Sequence, residues 1–107
     1  MKQEIVLFDR DKEYLARFLV FFKTYMGDKL LIQGFSEEEV CCQYLQNHDV
    51  TLLLTYEYDY RSVFKEFPMS KTMLFSDVDS VCEINGIQAV YKYQKLYSKP
   101  QYFLLNL

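Results

Sequence analysis

The feature that most constrains the fold is a nearly unbroken apolar run, Val50–Leu54, in the segment DVTLLLTYEYDY. A short run of this kind, followed by alternating residues, predicts a strand covered on both faces, as the central strands of a parallel sheet are. In an open α/β sheet, ligands and chemistry lie at the carboxyl ends of the central strands. The residues around Leu54 and Thr55 therefore limit what the protein can do, and they are apolar or neutral.

The rest of the chain alternates predicted strands and helices. Strands are predicted at Glu4–Phe8, Lys29–Gly34, Val50–Thr55, Thr72–Phe75 and Ala89–Tyr93. One helix is predicted to follow Asp11, which would be its N-cap. A second is predicted from Ser36, which forms a capping box with Glu39, to Asn47. Three more are predicted over Asp59–Phe67, Asp79–Asn85 and Ser98–Leu107. This alternation predicts an α/β domain with a five-stranded parallel sheet and helices on both faces.

Length and composition narrow the classes of function. The 107 residues suffice for one domain, and an apolar face on the last predicted helix leads us to expect that 1–107 is the N-terminal part of a longer protein. A net charge of −3 without a Lys/Arg run argues against nucleic acid as a partner. The three cysteines and His48 show no metal-ligand spacing. No apolar run approaches membrane-spanning length, so we expect a cytoplasmic domain without direct membrane insertion.

The chain resembles the receiver domain of bacterial response regulators in four features. These are the element order, the turn Asp9-Arg10-Asp11 after the first strand, Ser76 after the fourth strand and Lys92 on the fifth strand. The resemblance implies a flavodoxin-like fold with strand order 2-1-3-4-5. A receiver holds Mg²⁺ with paired acids after strand one and phosphorylates an aspartate at the end of strand three. The metal is needed because phosphoryl transfer depends on charge neutralisation and positioning.

The sequence departs from the receiver pattern at two essential positions. Asp9 matches the first acid, but Arg10 stands where the second acid is expected, and the phosphoacceptor position falls on Leu54, or on Thr55 with a one-residue shift. Ser76 matches the hydroxyl position, and Lys92 lacks the proline that usually follows. The resemblance implies a vestigial site at Asp9, Arg10, Asp11, Leu54, Thr55, Ser76 and Lys92 that forms no aspartyl phosphate. We therefore expect a non-enzymatic domain without cofactor or metal.

A narrower resemblance is to the N-terminal domain of TadZ/CpaE-type pilus-assembly proteins, on the degraded acid site, the YKYQ segment of strand five and the helix after it. In that family an ATPase domain follows the N-terminal domain, and the whole protein is a localisation factor for the pilus or secretion machinery. The resemblance implies protein partners in that machinery. In receivers, the face made by the fourth helix, fifth strand and fifth helix is a common dimer surface, so the receiver resemblance implies a homodimer through this face. The interface candidates are Tyr91, Tyr93, Tyr97 and Tyr102.

Several alternatives remain open from the sequence. A divergent receiver could still respond to phosphate or Mg²⁺ through Asp9, Ser76 and Lys92, and a small ligand could bind at the strand carboxyl ends. Weak metal binding could use the two DxD pairs, Asp9/Asp11 and Asp77/Asp79. The alternating tyrosines Tyr56, Tyr58 and Tyr60 either form an interaction surface or fill the vacated acid pocket.

Overall fold

A six-stranded sheet with strand order β2-β1-β3-β4-β6-β5 forms the centre of the computed structural model, which describes residues 3–26, 30–78 and 82–91. All neighbouring strands are parallel except β5 and β6, which pair antiparallel. The elements are β1 (Gln3–Phe8), α1 (Lys12–Met26), β2 (Leu30–Phe35), α2 (Glu38–Asn47), β3 (Leu52–Tyr56), α3 (Glu57–Ser62), a 3₁₀ turn (Met69–Lys71), β4 (Thr72–Ser76), β5 (Glu83–Ile84) and β6 (Ile87–Tyr91).

The central strands are buried on both faces, as their apolar runs predict. Ile5 pairs with Leu52 and Leu7 with Leu54 in the β1–β3 register. Because side chains alternate along a strand, these residues face α1, whereas Val6, Phe8 and Leu53 face α2 and α3. The sheet therefore separates two apolar cores, one on each face.

Helix α1 packs on one face of the sheet through buried apolar side chains, among them Leu15, Phe18 and Phe22. Asp11 caps it, since its Oδ1 accepts the Tyr14 N–H at 3.1 Å. Phe18 and Phe22 are buried, and their rings stack with centroids 5.5 Å apart. A Cβ placed on Gly34 of β2 would lie 2.8 Å from the Leu15 and Leu19 side chains, so glycine permits the close approach of α1.

The predicted strand number and order are wrong, because the described residues contain a sixth strand. Setting aside β5, the order β2-β1-β3-β4-β6 matches the predicted 2-1-3-4-5. The predicted helix Asp79–Asn85 is also wrong over its described part. Glu83–Ile84 forms β5, and Asn85 and Gly86, with φ of 49° and 84°, make the tight turn of a hairpin. Asn85 Nδ2 donates to Glu57 Oε2 at 2.8 Å, which attaches the hairpin to α3.

Other element boundaries shift by a few residues. Helix α2 begins at Glu38, and Glu37 at its N-cap makes no side-chain capping bond, so the predicted start at Ser36 is too early. Helix α3 ends at Ser62 rather than Phe67. The predicted helix Ser98–Leu107 lies outside the described residues. Among the helices that are described, none combines the length and apolar character needed to cross a membrane.

Candidate functional site at the carboxyl edge

Asp9, which the resemblance assigns as the first acid of the receiver pattern, lies at the carboxyl edge of the sheet. Asp9 follows β1 directly and is buried. Its Oδ1 accepts the Asp11 N–H at 2.9 Å, and its own N–H donates to the Phe35 carbonyl at 3.1 Å. Asp9 is therefore built into the turn that leads from β1 to α1, and Asp11 serves as the helix cap.

Arg10 joins three elements at this edge. Its Nε and Nη2 donate to Asp59 Oδ1 at 3.2 and 2.9 Å, and its Nη2 also donates to Glu38. Asp59 lies in the first turn of α3, and Glu38 is the first residue of α2. The guanidinium thus ties the β1–α1 turn to the start of both helices on the opposite face.

The Arg10 cation faces two carboxylates, of which only Asp59 is buried. The Asp59 side chain is 6% exposed and the Arg10 side chain 51% exposed, so the carboxylate is buried and the cation lies over it, half in solvent. Hydrogen bonds from the guanidinium to Glu38 and then Asp59 raise the pKa of Arg10 above its ordinary value. The guanidinium carbon also lies 5.3 Å from the Phe8 ring centroid, a cation–π distance. A positive group therefore stands permanently beside the acids of this edge.

Neither candidate for the phosphoacceptor position carries a carboxylate. Leu54 is fully buried and belongs to the core on the α1 side. Thr55 is fully buried one residue nearer the edge, and its Oγ1 has no hydrogen-bond partner among the described residues. A buried hydroxyl is a weak nucleophile without an adjacent base to activate it, and neither Leu54 nor Thr55 offers a carboxylate.

Ser76 ends β4, where the receiver pattern expects a hydroxyl. The Ser76 Oγ donates to the Val78 carbonyl and accepts the Val78 N–H, both at 3.0 Å. The hydroxyl therefore closes the turn that follows the strand. Lys92 lies outside the described residues.

The three alternating tyrosines have three different environments. Tyr60 is buried and donates to the Phe67 carbonyl at 2.6 Å, and Tyr56 is half-buried and donates to Asp77 Oδ1 at 3.2 Å. Tyr58 is 77% exposed. They do not form one continuous surface, because α3 begins at Glu57 and the alternation of a strand stops there.

Sequence reasoning placed Arg10 correctly as a cation at this edge but missed its partners, Asp59 and Glu38. The signal was present: acidic residues begin both helices that follow the strands on either side of β1. A cation at the carboxyl edge needs counter-ions, and helix N-termini also favour acidic side chains. Across residues 3–26, 30–78 and 82–91, no group of three or more His, Cys, Asp or Glu residues is arranged to hold a metal ion.

The amino edge of the sheet also contains a buried carboxylate. Glu4 of β1 is buried and accepts a hydrogen bond from the Tyr44 hydroxyl of α2. Burial and then this bond raise the pKa of Tyr44 to about 12. The His48 ring stacks on Tyr44 with centroids 3.8 Å apart, and its Nδ1 lies 3.0 Å from the Tyr44 carbonyl. His48 is thus a packing residue of the α2 C-terminus.

The cysteines are free thiols in the described structure. Burial, together with the neighbouring Cys42, raises the pKa of Cys41 to about 12, so this thiol stays protonated and behaves as a small apolar side chain. Of the predicted interface tyrosines, Tyr91 is half-buried at the end of β6, where it pairs with Ser76. Tyr93, Tyr97 and Tyr102 lie outside the described residues.

The chain forms a receiver-like α/β domain whose acid site contains an arginine. This class is defined by the mostly parallel sheet, the strand order β2-β1-β3-β4-β6 and the acid-bearing turn after β1. Comparison with protein families then identifies the family. The model described as TadZ-like, receiver domain matches residues 1–99, and the chain belongs to that family. It is a receiver-like domain of the kind found in pilus-assembly proteins. No curated protein matches the chain significantly.

Proposed function

We propose that this chain is a non-enzymatic pseudo-receiver that mediates homodimerisation or docking within a pilus-assembly or secretion localisation protein of the cytoplasm. The observation that carries the proposal is the Arg10 guanidinium bound by Asp59 and Glu38. A receiver changes state when Mg²⁺ and a phosphoryl group rearrange the charges at its carboxyl edge. Here a covalently attached cation supplies the positive charge, so the domain keeps one arrangement without a cofactor.

The lack of an acceptor carboxylate supports the same proposal. With leucine and threonine at positions 54 and 55, no acyl phosphate forms at the end of β3. The Ser76 hydroxyl is engaged in its own turn. A domain without a switchable site contributes through its surfaces, and we propose that Tyr91, with Tyr93, Tyr97 and Tyr102, forms the dimer surface with machinery proteins as further partners.

Sedimentation velocity of the 107-residue chain, alone and with Mg²⁺ plus beryllofluoride, tests this function. Beryllofluoride mimics an aspartyl phosphate. We expect a dimer with the same sedimentation coefficient in both conditions, and a shift toward monomer in Tyr91→Ala. Tyr58→Ala, which removes an exposed tyrosine of α3, is the control and should leave the dimer intact.

One outcome would contradict the proposal, and another would contradict its homodimerisation part. A monomer that dimerises only with Mg²⁺ and beryllofluoride would instead support the divergent receiver that acts through Asp9, Ser76 and Lys92. A monomer in every condition would remove homodimerisation and leave docking as the remaining part of the proposal.

A further inference from the structure

An open groove lies at the amino edge of the sheet, at the opposite end from Arg10. It has a volume of about 330 Å³, at the lower end of the range for ligand pockets. The C-terminal half of α2 forms one wall, and the segment after α3 forms the other. Its apolar lining comes from Cys42, Leu45, Val50, Val63, Phe64 and Phe67.

The wall that follows α3 is irregular in backbone conformation but firmly held. The buried Tyr60 hydroxyl donates to the Phe67 carbonyl at 2.6 Å, and the buried Thr72 hydroxyl donates to the Pro68 carbonyl at 2.8 Å. The Lys71 N–H donates to the same Pro68 carbonyl at 3.1 Å. These bonds preform the groove, so a partner would lose little affinity to ordering it.

The rim of the groove carries an unbalanced negative charge. Lys71 Nζ lies 3.9 Å from Asp49 Oδ1, so these two rim charges largely offset each other. Glu66, in the segment after α3, is exposed and adds a further carboxylate at the rim. An apolar floor beside a net negative rim is complementary to an apolar side chain that has a cation next to it.

We propose that this groove is a docking site for a peptide segment of a protein partner, one that presents one or two large apolar side chains beside a lysine or arginine. The apolar side chains fill the floor between Leu45 and Phe67, and the cation lies at Glu66. This surface is separate from the receiver site, because the groove and Arg10 lie at opposite ends of the strands.

This inference deepens the docking half of the proposed function and rests on it in taking a protein as the partner. Sedimentation reports dimerisation, whereas peptide binding reports the groove. Failure of one measurement is therefore distinguishable from failure of the other.

The test is a titration of the ¹⁵N-labelled 107-residue chain, followed by amide chemical shifts, with acetylated and amidated pentapeptides. The probe is Gly-Leu-Phe-Lys-Gly, and its charge-reversed counterpart is Gly-Leu-Phe-Glu-Gly. We expect the lysine peptide to shift amides that line the groove, with a Kd about fivefold lower than that of the glutamate peptide, as expected for one rim charge. A third peptide, Gly-Ser-Ser-Lys-Gly, should not bind.

Two variants locate the charge effect. Glu66→Lys should remove or reverse the preference for the lysine peptide. Glu39→Lys changes the net charge equally, at an exposed position of α2 that does not line the groove, and should keep the preference. Both substitutions are at exposed positions, and an unchanged dispersed spectrum checks that each variant is folded.

Three results would overturn the inference. One is no shift of groove amides at peptide concentrations of about 1 mM, where even weak recognition is detectable. A second is equal binding of the lysine and glutamate peptides, which would indicate a site for neutral apolar ligands. A third is groove shifts that depend on protein concentration alone, which would assign the groove to a second copy of the chain.

Discussion

The two ends of the sheet stabilise a buried carboxylate in different ways. At the carboxyl edge, the Asp59 carboxylate is paired with the charged Arg10, which also binds Glu38. At the amino edge, the Glu4 carboxylate is paired with the neutral hydroxyl of Tyr44. The first arrangement places a cation against the carboxylates at the edge where a receiver carries out its chemistry. The second needs no cation, and the charged side chains at the rim of the groove, Asp49, Glu66 and Lys71, stay at the surface for a partner.

The largest expected effect comes from removing the cation at the carboxyl edge. Arg10→Leu leaves the Asp59 carboxylate buried without its partner, and we expect the free energy of unfolding to fall by about 2 kcal/mol. This is below the 3–5 kcal/mol typical of a fully buried pair, because Arg10 is half exposed. Urea unfolding at neutral pH measures the change.

Arg61→Leu is the matched control for Arg10→Leu. Arg61 is exposed and pairs with Glu57 one turn away in α3, and such pairs contribute less than about 0.5 kcal/mol. Adding Asp59→Leu to Arg10→Leu should restore part of the lost stability, since no unpaired carboxylate remains. Equal losses for Arg10→Leu and Arg61→Leu would contradict the assignment of Arg10 as the central cation of this edge.

A smaller effect is expected at the amino edge. Tyr44→Phe removes the hydroxyl that donates to Glu4, and we expect a loss of about 1–2 kcal/mol at neutral pH because a buried acceptor loses its donor. Tyr58→Phe, at an exposed tyrosine, should change stability by less than about 0.5 kcal/mol. A loss in Tyr44→Phe no larger than this control would show that Glu4 does not depend on the bond.

The amino-edge pair should also depend on alkaline pH. The pKa of Tyr44 is raised from its ordinary value of 10.0 to about 12, so the neutral phenol is favoured in the folded protein. Its contribution is complete below the unfolded pKa and is lost as the pH rises from about 10 toward 12. The raised pKa of Cys41 also lowers stability as the pH rises, and it does so equally in the parent and in Tyr44→Phe. The Tyr44→Phe variant should therefore lose stability less steeply with rising pH in this window than the parent.

The smallest effects come from two buried threonines and should differ in sign. Thr55 near the carboxyl edge has a buried hydroxyl without a hydrogen-bond partner in the described structure, so Thr55→Val should stabilise by up to about 1 kcal/mol. Thr72 at the amino edge donates to the Pro68 carbonyl, so Thr72→Val should destabilise by about 1 kcal/mol. Urea unfolding measures both variants. If the free energy of unfolding changed in the same direction in Thr55→Val and Thr72→Val, the contrast between the two edges would be contradicted.

The successful sequence predictions rest on short-range patterns. The apolar run in β3 and the Asp11 cap of α1 are encoded within a few residues. The hairpin at Asn85-Gly86 was missed although Asn-Gly is a strong turn signal. Strand β5 has only two residues, too few to show an alternating pattern, so a helical turn ending at Gly86 was the wrong interpretation.

The sequence by itself determined the α/β class, the position of Asp9 at the end of β1, the lack of an acceptor carboxylate and the cation at Arg10. These follow from residue type and from periodicity along one segment. Only the tertiary structure decided which carboxylates meet Arg10, how Tyr56, Tyr58 and Tyr60 diverge, and that a groove opens beyond α3. The physical reason is distance along the chain: Arg10 and Asp59 are 49 residues apart and meet only when α3 packs beside the β1–α1 turn.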